Sequence, residues 1–592
     1  MPGVIQTLSA GLVVSACLLL QPAAAAGDSG DSGSSDAQFV SIYQAEWDWR
    51  KKQLLAADES DADEILPHLP DVSATAQAAR LKVWQDVLAK ISLIPVATLS
   101  DTLQVDYLVY KNQIEGLIAN QVWRLYEKPS DAGSGDTAFW SDLTETARQT
   151  FKNENDYLHY LSQLNDFPNY FQQYLINMRS GLQRGFTAPA IALQGRDASA
   201  ASVLDAATPQ DNVYYLPFQK MPTTIPLSRQ NELKKQALLT IRDRVIPAYQ
   251  ALLQFLRDDY IPHAQPSIAA TDLPDGRAFY QAQIRYYTTL DLTPEAIHQT
   301  GLDEVSKIRA EMVSVMKQVG FQGDLAAFLQ FLRTDPQFYV TTPQSLLDRA
   351  AWICKMFDGK AKDYFGLLPR ARFAIMPVPE AIAPFYTAGR GGPGEFFLNT
   401  YNLASRPLYS LPALTLHESA PGHAFQMPLE AENKHLPEFR RTSYISAYGE
   451  GWALYSERLG VEMGIYQTPY EQFGMLSYQM WRAARLVVDT GIHSQHWTRE
   501  QAQQYLHDNT GLADHEISTE VDRYIAWPGQ ALSYYLGEMA IWKARHKAET
   551  ALGEKFDIRA FHDLVLALGS VPLSVLEARV DRFIEESTKP AN

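Results

Sequence analysis

The sequence predicts a mainly α-helical protein with one small β-sheet beside its candidate site. Apolar residues recur at three- and four-residue spacing over long stretches, helix start signals agree with that period, and only one segment departs from it. Residues 81–91, 102–118 and 230–256 carry the helical spacing. Thr293 before Pro294 reads as an N-cap with proline at the first helical position, and Thr498 with Gln501 reads as a capping box. Ser574 with Glu577 reads as a second box, opening a C-terminal helix whose stripe is Leu576, Val580, Phe583 and Ile584. The exception spans residues 373–379 and 395–400, two short strand-like runs separated by the glycine-rich residues 389–394.

The 592 residues are 46% hydrophobic, 20% charged and 11% aromatic, which fits a globular chain and excludes collagen-like and disordered ones. Fifty-one basic against 68 acidic residues leave a formal charge of −17, so no nucleic-acid partner is expected. Residues 10–20 are apolar but too short to cross a bilayer comfortably, and Gln21-Pro22 and alanines 23–26 follow. This reads as an export signal over residues 1–26, with residues 27–37 as a flexible spacer. The rival reading is Val14-Ser15-Ala16-Cys17 as a lipobox, which would place an outer-membrane lipid anchor on Cys17. Besides Cys17 the chain has only Cys354, so cleavage after Ala26 leaves one thiol and no internal disulfide. The remainder divides into an N-terminal helical region, 38–290, and a candidate catalytic region, 291–592. Breaks near residues 130–137 and 194–212 serve as well for loops within one continuous domain as for linkers.

Residues 411–427 carry the chemistry. His417-Glu418 is followed by His423, six residues after the first histidine. Two zinc-binding histidines normally sit four apart on one helical face, whereas six residues turn through about 600° and separate the rings. Pro421-Gly422 between them predicts a break that brings His423 back beside His417. Catalytic zinc takes three protein ligands and leaves one position open. The third is sought in residues 448–457, where Glu450 and Glu457 lie seven apart on one helical face. One can bind metal while the other hydrogen-bonds a ligand histidine.

HExxPGH followed by EGWALYSE resembles the signature of a large bacterial family of unknown function regarded as metallopeptidases. The resemblance covers most of the chain beyond the signal. The two motif helices also resemble the gluzincin peptidases, the aminopeptidase N, thimet oligopeptidase and angiotensin-converting-enzyme type among them. That likeness implies a large helical zincin-like fold and one zinc per chain held by His417, His423 and Glu450. It also implies Glu457 as the supporting carboxylate and Glu418 as general base on a zinc-bound water. The two residues inserted between the histidines depart from the gluzincin pattern and leave the ligand geometry open.

By the same resemblance, late oxyanion donors are expected at His493, Tyr524 and Tyr534. Residues 395–400, read as an edge strand, are expected to align substrate, with Glu395, Asn399 and Arg523 as contacts. His496, His507 and His515 read as surface residues. The expected function is therefore an exported, periplasmic or secreted, zinc peptidase acting on short peptides. Two other readings stand beside it: a non-catalytic peptide- or metal-binding protein, and a metal-dependent hydrolase of non-peptide amides or esters. Oligomeric state is not readable from the sequence.

Overall fold

A computed structural model describes residues 32–53, 65–128, 130–131, 137–380 and 383–589. It is 71% helical with a three-stranded sheet, the mainly α architecture expected. The signal segment and Cys17 lie outside the described residues. Helix α1 (Ser32–Lys52) begins inside the expected spacer, so residues 32–37 are helical and not extended linker.

Helices α1, α2 (Ala74–Ser92) and α3 (Asp101–Val122) close around Glu46. Its buried carboxylate accepts hydrogen bonds from Arg50, Trp84 and Tyr110, which replace the lost hydration. The three helices pack into the same apolar core as the C-terminal half. A buried Arg440–Asp106 pair at 2.7 Å ties α3 to the segment just ahead of the candidate site. Helix α4 (Glu154–Arg184), started by an Asn153/Asp156 capping box, anchors a second core formed by Ile65, Val72 and residues between 138 and 264. The expected helix at 230–256 is part of a continuous one from Leu227 to Tyr260, with π-turns at Ile241–Val245 and Leu256–Tyr260. The break expected near 194–212 contains a short helix, Asp197–Leu204.

Helix α5 (Pro294–Gln318) starts as expected, Thr293 accepting from the Ala296 N–H at 3.2 Å. Three strands follow: β1 (Ala374–Pro377), β2 (Gly389–Gly392) and β3 (Glu395–Leu398). Their order is β1-β3-β2, with β3 parallel to β1 and antiparallel to β2. This corrects the edge-strand expectation. β3 is central and already paired on both sides, while the glycine-rich segment read as a connector is itself the strand β2, at the sheet edge.

The site is assembled from α6 (Leu411–Glu418), α7 (His423–Glu432), α8 (Ser446–Glu462), α9 (Pro469–Gln495), α10 (Asp514–Ala526) and α11 (Ser533–Leu552). Every residue of α9 from Phe473 to His493 is buried, which makes it the central post of the larger core. Ahead of α10, the Thr498/Gln501 capping box forms as expected. The box expected at Ser574 does not. Helix α12 (Leu573–Thr588) starts one residue earlier, after Pro572, and Glu577 pairs with Lys543 instead. Its predicted stripe holds, with Leu576 and Val580 buried. Among the described residues no helix is long and apolar enough to cross a membrane.

Candidate metal centre

The helix carrying His417 stops where the sequence says it must. Ser419 (φ −100°, ψ −110°) and Gly422 (φ −72°, ψ −134°) leave helical geometry, the Ala420–Pro421 bond is cis, and α7 restarts at His423. Only glycine fits at 422, because a Cβ there would lie 1.9 Å from the His417 carbonyl oxygen. The Gly422 N–H bonds the Leu416 carbonyl at 3.0 Å, and Trp452 of α8 donates to the Pro421 carbonyl at 2.8 Å. These contacts hold the break closed. The His423 ring thereby comes to 5.0 Å from the His417 ring, at 88° to it.

Glu450 of α8 completes the set. Its Oε2 lies 3.3 Å from His423 Nε2 and 3.6 Å from His417 Nε2. Ligand atoms about 2.0–2.1 Å from a tetrahedral zinc are about 3.3 Å apart, so these two separations are close to what that ion takes. Among the described residues these three form the group whose donor atoms converge, all within 4.8 Å of one another. Two imidazoles and one carboxylate also suit zinc chemically. Glu457 accepts from His417 Nδ1 at 2.8 Å and is fully buried. That bond leaves Nε2 as the nitrogen facing the site. His423 has no such support, since its Nδ1 is buried without a hydrogen-bond partner among the described residues.

The electrostatics match a site built for a cation. Burial works against charge on His417, but hydrogen bonds to Glu450 and Glu457 overcome it and lift its pKa to about 9. Burial likewise opposes ionised Glu450, yet the two histidines hold its carboxyl well below the usual range. Glu418 is partly exposed, and its Oε2 accepts the Gly391 N–H of β2 at 2.7 Å. Gly391 lies against the end of α6, where a Cβ would fall 1.7 Å from the Glu418 carbonyl oxygen.

Two tyrosines flank the cluster. Tyr534 of α11 stacks on His417 at 6.4 Å and 15°, and its hydroxyl accepts from Arg523 at 3.3 Å. Its approach depends on the contact of α8 with α11, where a Cβ on Gly451 would lie 2.4 Å from the Gly537 backbone. Tyr444, in the loop before α8, was not anticipated. The residue is 46% exposed, yet lost hydration at the hydroxyl, beside the Glu450 carboxylate, raises its pKa well above 10. The only sequence signal was small Gly449, over which the Tyr444 ring lies.

Other expected residues take structural roles. His493 is fully buried, with Nδ1 accepting the Ala270 N–H at 3.2 Å and Nε2 donating to the Tyr524 carbonyl at 2.9 Å. Neither nitrogen is left for an oxyanion. Tyr524 is buried, its hydroxyl accepting from Trp481 at 2.9 Å and from Arg485 at 2.8 Å. Asn399 is fully buried and its amide donates to the carbonyls of Ala383, Tyr386 and Thr387, so it secures a loop and is not free for substrate. Glu395 opens the central strand opposite Gly392, without an ion pair among the described residues. Arg523 bonds Gln530 and Tyr534 and acts on the site through Tyr534. His507 and His496 are surface residues as expected, with side chains 46% and 55% exposed, and His515 is exposed too.

The profile of a bacterial protein family of unknown function, DUF885, matches residues 61–580. Among solved structures, the chain is similar to a "putative lipoprotein" from Colwellia psychrerythraea, at 25% identity and a TM-score of 0.84 over 94% of this chain and 99% of that one. It also shares its fold with a "putative lipoprotein of unknown function" from Shewanella oneidensis, at 17% identity and a TM-score of 0.65 over 92% and 98% of the two chains. No curated protein is recognisably similar.

Proposed function

The chain belongs to the bacterial protein family of unknown function DUF885, and from that premise we propose an exported zinc-dependent peptidase acting on short peptides. The observation that carries this reading is the convergence of donor atoms of His417, His423 and Glu450 within 4.8 Å of one another, with Glu418 next in sequence to His417. A divalent cation held by the three residues supplies a Lewis acid for a scissile carbonyl and lowers the pKa of a water to about 7.

The chain's own groups supply the rest. Glu418 takes the proton of the attacking water and returns it to the leaving nitrogen, a role worth about 10²–10⁴ in rate. The Gly391 N–H on Oε2 orients that carboxylate. Tyr534 is the better placed oxyanion donor: Arg523 donates to its oxygen, which leaves the hydroxyl hydrogen for substrate. Tyr444 lies beside the Glu450 carboxylate and steadies that ligand. β2, at the sheet edge, is where an extended peptide can add as a strand. Short substrates are favoured because His417 and His423 are only 2% and 7% exposed, beyond the reach of a folded protein's surface.

Export rests on residues 1–26. The description of the Colwellia relative favours the Cys17 lipobox over cleavage after Ala26; acylation there would anchor the protein to a membrane. The test of the enzymatic reading is metal analysis of purified protein beside His423→Ala. About one zinc per chain, absent from the variant, supports it. A wild-type protein that takes up no metal overturns it.

A further inference from the structure

A hollow of about 280 Å³ lies against α6 on the side that carries Glu418. Leu411 and Leu414 form one wall, and Leu414, a single turn before Glu418, projects from the same helical face. Leu398 at the end of β3 and Ala388 just ahead of β2 close a second wall, with Tyr478 of α9 and Glu516 of α10 opposite. The hollow therefore reaches the strands that would align a peptide, and its Leu414 wall lies one helical turn from the proposed base.

Two arginines, Arg333 and Arg406, and two acids, Glu516 and Asp514, line the hollow. Arg333 donates to the carbonyls of Leu512, His507 and Thr510, and Arg406 to those of Asn399 and Ser405. Neither reaches a carboxylate at ion-pair distance among the described residues. Behind Tyr478, Arg482 stacks at 4.6 Å on that ring and leaves Nε and Nη1 buried without hydrogen-bond partners. Its closest ion pair, with Glu457, is 3.6 Å long, and Glu457 already serves His417. Glu516, the wall's own partly buried carboxylate, lies in the combined field of Arg406, Arg482 and Arg485. Asp514, the other acid of the wall, has a side chain 87% exposed.

We infer that this hollow is a subsite for a substrate carboxylate, recognised by Arg406 and Arg333. Guanidinium groups tied only to neutral carbonyls keep their charge for an incoming anion, and Nη1 of Arg333 and Nη2 of Arg406, outside those bonds, can donate to a carboxylate. The inference rests on the peptidase reading and adds a substrate class: short peptides bearing a negative charge beside the scissile bond, from a free C-terminus or an acidic side chain.

The test pairs peptides that differ by one carboxylate, C-terminal acid against amide and Glu against Gln or Asp against Asn next to the cleaved bond. Each pair is assayed with wild type, Arg406→Gln and Arg333→Gln, and calorimetry with glutarate reads binding directly. Expected is a preference of about tenfold or more in kcat/KM for one acid member, falling to near unity in Arg406→Gln. Preference in the acid–amide pair identifies the C-terminal carboxylate, and preference in the Glu–Gln pair a side chain. Equal cleavage of all pairs by wild type overturns the subsite and leaves the peptidase standing. If no peptide is cleaved, the peptidase reading has failed and glutarate decides: binding lost in Arg406→Gln supports the subsite, and no binding overturns it. Glu516→Gln removes the competing internal carboxylate and should tighten glutarate binding several-fold, a gain that misfolding cannot produce.

Discussion

His417 donates its Nδ1 hydrogen to Glu457 across 2.8 Å, and this bond settles which ring nitrogen faces Glu450. Glu457 is fully buried, and its second oxygen has no hydrogen-bond partner among the described residues. Such a carboxylate is tolerable next to a cation site, because it makes the ligand imidazole more basic. Glu457→Gln keeps an acceptor for the Nδ1 hydrogen but removes the charge. Zinc affinity, measured by chelator competition, should fall by about 10–100-fold while the helices stay intact. Unchanged affinity would remove Glu457 from the metal site.

Among the described residues Glu418 makes no hydrogen bond to the three proposed metal ligands, and its carboxylate accepts the Gly391 N–H. Glu418→Gln should therefore retain the full metal content and lose about 10²–10⁴ in kcat on any peptide the wild type cleaves. If the variant loses zinc, Glu418 belongs to the ligand set. If it keeps both zinc and turnover, another group is the base.

The two flanking tyrosines separate by readout. Tyr534→Phe should lower kcat by about 10²-fold with metal content unchanged, because only the developing oxyanion loses a donor. Tyr444→Phe should act chiefly on zinc affinity, because it removes a hydroxyl from beside the Glu450 carboxylate. The reverse pattern would exchange the roles assigned to the two hydroxyls.

The parts of the site readable from sequence are those in which spacing encodes geometry. His417, Glu418, Glu450 and Glu457 were legible because each pair is set by helical period, and the break before His423 by Pro421-Gly422. What stayed hidden depends on distant chain segments. His493 resembles a late catalytic histidine until Ala270 and the Tyr524 carbonyl consume both its nitrogens. β3 resembles an edge strand until its parallel pairing with β1 is seen. Tyr444 is one of 30 tyrosines, in a loop with no periodicity to mark it.

His493 also makes a prediction about pH, and a neighbour opposes it. Burial holds its pKa down to about 4, against 6.5 in an unfolded chain. The unfolded chain takes up a proton below pH 6.5 that the folded imidazole refuses, so this group lowers stability as pH falls from 6.5 to about 4, by about 3 kcal/mol in all. Asp489 lies one helical turn away, bonded to Tyr280 at 2.6 Å, and burial pushes its carboxyl up to about 7. The folded protein therefore keeps a proton that the unfolded chain releases above pH 3.8, and this contribution, about 4 kcal/mol, is lost as pH rises to 7. The two slopes have opposite sign over the same interval and largely offset one another. His493→Gln removes only the first. Its melting temperature should lie below that of the wild type at pH 7, and the gap should narrow steadily toward pH 4.5. A gap that stays constant with pH would mean that His493 is not held neutral, and that the Ala270 and Tyr524 bonds do not fix its tautomer.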